Sequence, residues 1–423
     1  MTAAAPRLPR EYWRLWTASA ISNLGDGMYL VAIPLIAARL TDSAVGVALV
    51  AAFASLPWML LSIPIGALVD RRDRRSIMVR ANVFRAAVVG ALALVVATDH
   101  IELWMLWLAA LALGVGEVFF DNATIALLPG LVPEEQLPRA NGRLYAAELG
   151  ANGFIGTPLG GVLFAVAAAL PLVVDAWSFA CAALLLMSLS RASRGDAPTA
   201  TRPSAPPTRL RDDIREGWRF LWDHPILRPL AIAFAIVMFA FQMPLAVLVL
   251  FVRHTLGLGP RGYAAFLTII TLGPVIGGFI GDRVVRRLGR SRSMFVALGT
   301  WIVCLGLTAA YPHAGFVIVA ATVQAVATTV WNVTTVSLRQ VVVPNELFGR
   351  VNSIYRWCGW GMMSIGALAG GLVASRFGMR APYVAAACVI GVAVLVLARG
   401  IDRDAVDDAT ASMLRPKVGQ HTP

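Results

Sequence analysis

The sequence predicts an all-α membrane protein: twelve transmembrane helices arranged as two pseudo-symmetric six-helix bundles. Three observations carry this. Of 423 residues, 58% are hydrophobic and 14% charged, against roughly 45–50% and about 25% in ordinary soluble domains, so a soluble fold could not cover its apolar surface. The apolar residues fall into about twelve runs, each near the ~20 residues that cross a bilayer. Two motifs also recur at nearly the same offset, half a chain apart.

Taken in order, residues 1–14 are polar, carry Arg7, Arg10 and Arg14, and read as a cytoplasmic start. The run that follows is too long for a cleavable leader. The first six spans are read at 15–39, 44–69, 77–98, 102–128, 143–168 and 171–190, making an N-terminal bundle over 15–190. Residues 191–225 join the halves. Their first part, 191–210, is rich in Arg, Pro, Ala, Thr and Ser without an apolar period and reads as disordered. Residues 211–223 set Ile214, Trp218, Phe220, Leu221 and Trp222 among charges, the pattern of an amphipathic helix lying on the inner leaflet. Six more spans follow at 226–252, 263–281, 293–311, 315–339, 353–375 and 381–399, a C-terminal bundle over 226–399. Residues 400–423 are a polar, frayed tail.

The net charge of +12 does not point to nucleic acid, because the arginines sit in short clusters between apolar runs. Arg39, Arg253, Arg261, Arg376 and Arg380 are the basic residues of one set of loops, and the rest of the 36 Lys and Arg belong to the other side. That excess places both termini and the central loop in the cytoplasm. Cys181, Cys304, Cys358 and Cys388 each lie in an apolar run without metal-ligand spacing, so no metal is expected. The five histidines are scattered, and no nucleophile elbow, zinc pattern or Walker loop is present, which argues against an enzyme.

The stretch Gly66-Ala67-Leu68-Val69-Asp70-Arg71-Arg72-Asp73-Arg74-Arg75 ends the second span in a knot of charge that hydrocarbon would not hold. A weaker copy, Gly278-Phe279-Ile280-Gly281-Asp282-Arg283, lies 212 residues on (282 − 70). Val132-Pro133-x-Glu135-x-x-x-Arg139-x-Asn141 returns as Val343-Pro344-x-Glu346-x-x-x-Arg350-x-Asn352, offset by 211 (343 − 132). Each half has an even number of spans, so the two run parallel, related by an axis along the membrane normal.

Over nearly its whole length the sequence resembles the major facilitator superfamily. The loop signature Gly-x-Leu-x-Asp-Arg-x-Gly-Arg-Arg is matched at Gly66, Leu68, Asp70, Arg71, Arg74 and Arg75, with Asp73 in place of the usual glycine. Asn23-Leu24-Gly25-Asp26-Gly27 and the Val-Pro-x-Glu motif resemble the branch of enterobactin exporters and macrolide efflux pumps. The resemblance implies alternating access about a central cavity and proton-driven export, with no cofactor beyond the proton motive force. It also implies that Asp70 and the loop arginines, with Asp282 and Arg283 in the second half, form a conformational latch against neighbouring helix ends, Asp121 being a candidate partner. The expected substrate is a small amphipathic compound such as a drug, a siderophore or the host's own metabolite. The expected location is the plasma membrane, as a monomer in the lipid bilayer. A lysophospholipid flippase or uptake permease of the same fold, or a non-transporting receptor or scaffold, are the alternatives.

Charges inside spans are functional candidates. Asp26 lies about eleven residues into the first span, roughly 16 Å deep at 1.5 Å per residue, and could carry a proton or pair statically with Arg85. Glu117 and Asp121, four apart, share a face of the fourth span. Together with Glu148, Arg85 and Arg143 they make a candidate network for protons or a cationic substrate. In the second half Arg356 is the clearest buried charge, and Gln242, Asn332 and Tyr355 are cavity candidates. Gly156, Pro158, Gly160 and Gly161 form a helix-packing motif on the fifth span, in which Thr157 breaks the adjacent Gly-Pro that antiporters of the superfamily carry. Asp175 is expected to be an interfacial cap.

Overall fold

A computed structural model describes residues 8–70, 72–189 and 210–400. The readings of a disordered linker at 191–210, except for Leu210, which is helical, and of a frayed tail beyond Gly400 lie outside them, as do Arg71 and the side chain of Asp70.

All regular secondary structure among the described residues is helical, and twelve helices are long and apolar enough to cross a membrane. Only a helix satisfies its own backbone groups without water, so apolar runs of this length have one stable form in a bilayer. The first four are α1 (Arg10–Leu40), α2 (Ala44–Asp70), α3 (Arg74–Ala97) and α4 (Leu103–Leu127). The fifth is composite: α5 (Leu137–Glu148), a π-helical stretch (Leu149–Gly156) and α6 (Thr157–Val166). α7 (Leu170–Met187) is the sixth, and the shorter α8 (Leu210–Asp223) follows. The seventh comprises α9 (Leu227–Leu245), the turn α10 (Leu248–Leu250) and a second π-helical stretch (Phe251–Thr255), and the eighth comprises α11 (Pro260–Ile270) and α12 (Leu272–Leu288). α13 (Arg290–Ala310), α14 (Ala314–Val342), α15 (Asn345–Phe377) and α16 (Ala381–Gly400) complete the chain. Large apolar side chains such as Trp177, Phe279 and Phe377 stay exposed on the helix surfaces, as residues facing lipid would.

Several boundaries differ from the hydropathy reading. α1 begins at Arg10 instead of Leu15, because the turn before Leu15 is packed as well. Tyr12 is wholly buried there, and its hydroxyl donates to the Ala140 carbonyl at 3.0 Å. α12 and α13 are separated by Gly289 alone, whose φ of 79° makes the turn and would strain any other residue.

Two compact units divide at Pro207/Thr208, except that Leu248–Thr268 joins the first. The rest of the bundle read as 226–399 falls in the second unit. In the first unit α1 packs on α7 and the π-helical stretch, α2 on α4, and α3 on both α4 and α7. There Arg253 donates to the Ala38 carbonyl, His254 Nε2 lies 3.3 Å from Asp42 Oδ1, and Ala264 fills the space over Gly161. In the second unit α9 packs on α15 and α16, and α14 on α12 and α13.

α8 has the expected amphipathic pattern, yet its inner face is spent on protein. Leu221 and Gly217 are buried, and a Cβ on Gly217 would come within 3.1 Å of Arg350 Cβ on α15. Glu216 pairs with Arg350, and Trp218 stacks on Trp222 with ring centroids 5.3 Å apart.

The duplication is legible in the packing. Gly156 and Gly160 sit against the backbone of α1 at Leu24 and Met28, and Gly366 and Gly370 sit against α9 at Phe239 and Met243. Both glycine pairs are one helical turn apart, as are the residues they meet, so each half seats its fifth span on its first in the same way. Small residues at such crossings let helix backbones approach closely.

Candidate functional site

The polar residues of the first unit converge on one cavity of about 370 Å³. It is built around Gly25-Asp26-Gly27 at the middle of α1. Gly25 lies against Asp175 and Ser178 of α7, and Gly27 against the backbone of Asn152 in the π-helical stretch. With no Cβ on either side, α1 is held on two neighbours at once, and Asp26 is fixed between them. Two local features accompany the π-helical stretch: Pro158 offers no N–H to the preceding turn, and both the N–H and the hydroxyl of Thr157 donate to the Asn152 carbonyl, the hydroxyl at 2.9 Å. π-helical turns inside α-helices cluster at functional sites.

Arg85 of α3 reaches into this cavity. Its Nη2 donates to Asp26 Oδ1 at 2.6 Å, with the arginine side chain 6% exposed. Its guanidinium carbon lies 4.0 Å from the Phe179 ring centroid. Gly116 of α4 makes room for its stem, since a Cβ there would fall 2.7 Å from Arg85 Cγ. Glu117 and Asp121 of α4 and Glu148 at the end of α5 line the same cavity, together with Tyr29, Asn23, Ser19 and Asn152. The structure thus brings Asp26, Arg85, Glu117, Asp121 and Glu148 together, although they are spread over most of the first bundle's sequence.

Three expectations change. Asp175 is no interfacial cap: it is wholly buried and lines the same cavity, so five carboxylates share a small space with one guanidinium. Arg143 does not join the network; its guanidinium lies 5.2 Å from the Trp13 ring centroid. In the second half the deeply buried charge is Arg339, 7% exposed, while Arg356 is half-buried and lies over Trp360. Arg339 Nη1 donates to Asn352 Oδ1 at 2.6 Å, and its guanidinium lies 3.9 Å from the centroid of the Tyr355 ring. Tyr355 in turn stacks on Phe234. Gln242 is buried, with Oε1 lacking a hydrogen-bond partner, whereas Asn332 is exposed. A signal for Asp175 was present: a carboxylate five residues into an apolar span, with Ser178 one turn on. Arg339 was hidden by its place at the end of a predicted span, where arginines usually reach water.

The arginine loop has a definite job in the first unit. Arg75 Nε donates to the Leu186 carbonyl at 2.9 Å and its Nη2 to Met187, and Arg14 donates to Ser188 at 2.7 Å. Two cations therefore satisfy the carbonyl end of α7, where the helix dipole favours positive charge. Asp73 accepts from the Arg75 N–H at 3.2 Å and caps α3, a role that explains an acid where glycine is usual. Arg74 opens α3. Gly66 is not sterically required, since a Cβ there would meet only Asn122 Oδ1 at 3.8 Å. In the second half Asp282 and Arg286 make an exposed pair at 3.7 Å, and Arg283 is exposed. Arg75→Gln is expected to lower the thermal midpoint of the detergent-solubilised protein by several degrees, because charged hydrogen bonds contribute about 1.5–3 kcal/mol. An unchanged melting curve would remove this cap as a stabilising element.

A sequence profile of the family described as transmembrane secretion effector matches residues 1–419. Macrolide efflux protein A of Streptococcus pyogenes is 24% identical over 379 residues, covering 88% of this chain and 91% of the relative. Multidrug efflux pump Tap of Mycolicibacterium fortuitum is 26% identical over 400 residues, covering 90% and 94%. A bacterial homologue of the iron transporter ferroportin has a similar fold, with a TM-score of 0.72 at 18% identity over 93% of this chain and 99% of that one.

Proposed function

The chain belongs to the transmembrane secretion effector family of the major facilitator superfamily, a multi-pass membrane transporter and not an enzyme, and from that premise we propose that it exports a small amphipathic compound bearing a positive charge in exchange for protons. The observation that carries this reading is the excess of carboxylates around Arg85 in the first unit. An acidic cavity attracts a cationic group, and the same carboxylates bind protons, so proton and cargo compete for one set of anions. Ionisable groups are costly inside a membrane and are kept where charge or substrate passes. The efflux pumps among the relatives support export over uptake. The excess of arginine in one set of loops supports cytoplasmic termini in a plasma membrane, and the proton motive force is the sole energy source the reading requires.

The test is a panel of amphipathic cations and macrolides in a bacterium stripped of its own efflux pumps. Cells making the protein are expected to accumulate at least one compound several-fold less than controls, and a protonophore is expected to abolish the difference. Equal accumulation across the panel would remove the export reading. Export that survives the protonophore would remove the proton.

A further inference from the structure

The Asp26–Arg85 pair leaves open which carboxylate moves a proton. Asp26 already has a cation at 2.6 Å, and losing its charge would strand Arg85. Asp175 is in the opposite condition. It is 0% exposed, makes no ion pair among the described residues, and its Oδ2 has no hydrogen-bond partner. Its Oδ1 has one long contact, 3.4 Å to Ser178 Oγ, a hydroxyl that lies closer, at 2.8 Å, to the Asp175 main-chain carbonyl. Gly25 lets this carboxyl lie against the backbone of α1, one residue before Asp26.

We propose that Asp175 is the residue that carries the exchangeable proton, with Asp26 and Arg85 remaining a charged pair beside it. An unpaired anion so deeply buried is costly, so in this conformation Asp175 is the neutral acid. The groups around it set when it lets go. Asp26 and Tyr29 of α1, Arg85 of α3, Glu117 and Asp121 of α4 and Glu148 of α5 line the same cavity. When the cavity takes in water, the O–H bond of Asp175 breaks, the proton passes to water, and the carboxylate left behind becomes a counter-charge for a cationic cargo. This deepens the proton-coupled reading and rests on it.

The experiment needs no known substrate. Infrared difference spectra are recorded on the full chain in detergent across a pH jump, for wild type, Asp175→Asn, Asp26→Asn and Asp175→Glu. Loss of a protonated-carboxyl C=O band on raising the pH is expected in wild type. The band is expected to vanish in Asp175→Asn, to persist in Asp26→Asn and to move in Asp175→Glu. A band that persists unchanged in Asp175→Asn, or no such band in wild type, would overturn the assignment. Should Asp175→Asn not fold, Ser178→Ala is expected to shift the band by removing the neighbouring hydroxyl, and an unshifted band would overturn it equally. The protonophore experiment is separate: export that ignores the protonophore would defeat proton coupling while leaving the proton on Asp175 intact.

Discussion

Asp26→Asn is expected to leave the protein in the membrane, lower its stability and reduce export at least tenfold. The reason is the buried arginine left behind. Arg85 is 6% exposed and has its short contact to Asp26, and removing one partner of a buried pair typically costs about 3–5 kcal/mol. Glu117 and Asp121 line the same cavity, so the stranded guanidinium is expected to be drawn toward α4, which under the proposed mechanism would neutralise carboxylates meant for the cargo. Two measurements separate the effects. The double variant Asp26→Asn/Arg85→Leu is expected to recover thermal stability, since an apolar replacement of a buried ion pair is often neutral, while export stays lost. Wild-type rates in the single variant would show that the pair is packing and nothing more.

Gly160→Leu and Gly370→Leu are each expected to abolish folded yield, measured as monodisperse protein after extraction. The obstacle is main chain in both cases. A Cβ on Gly160 would stand 2.8 Å from Met28 Cα, and one on Gly370 2.6 Å from Met243 Cα. Overpacking commonly costs about 1–3 kcal/mol when side chains can yield, and here a helix backbone would have to move. Gly278→Leu is the control, because nothing lies within 4 Å of its Cβ position, and it is expected to express normally. If Gly160→Leu also expressed normally, the seating of the fifth span on α1 would be looser than the crossing implies.

The spans were readable because hydropathy is a property of the residues themselves, and a bilayer leaves a long apolar run one choice of structure. The glycine motif was readable for a related reason: Gly156 and Gly160 mark a close crossing whatever they cross. The membership of the acidic cavity was readable in part. Asp26, Arg85, Glu117, Asp121 and Glu148 stand out as charges in apolar surroundings. Asp175 looked like a span boundary, since five residues of α7 precede it and depth depends on how helices stagger. Arg143 misled for the converse reason, because its long side chain can reach several surfaces and packs on Trp13.

By itself the sequence determined the class of protein, the number of crossings, the duplication and most of the charges that gather in the cavity. These depend on composition, run length and spacing, which act within one helix at a time. Tertiary structure alone decided that Arg85 takes Asp26, that Asp175 is left without a cation, that Arg75 closes the end of α7 and that Leu248–Thr268 packs with the first unit. Each is a choice among partners far apart in the chain, settled by how the helices pack, with Gly25 and Gly116 making the room at Asp175 and Arg85.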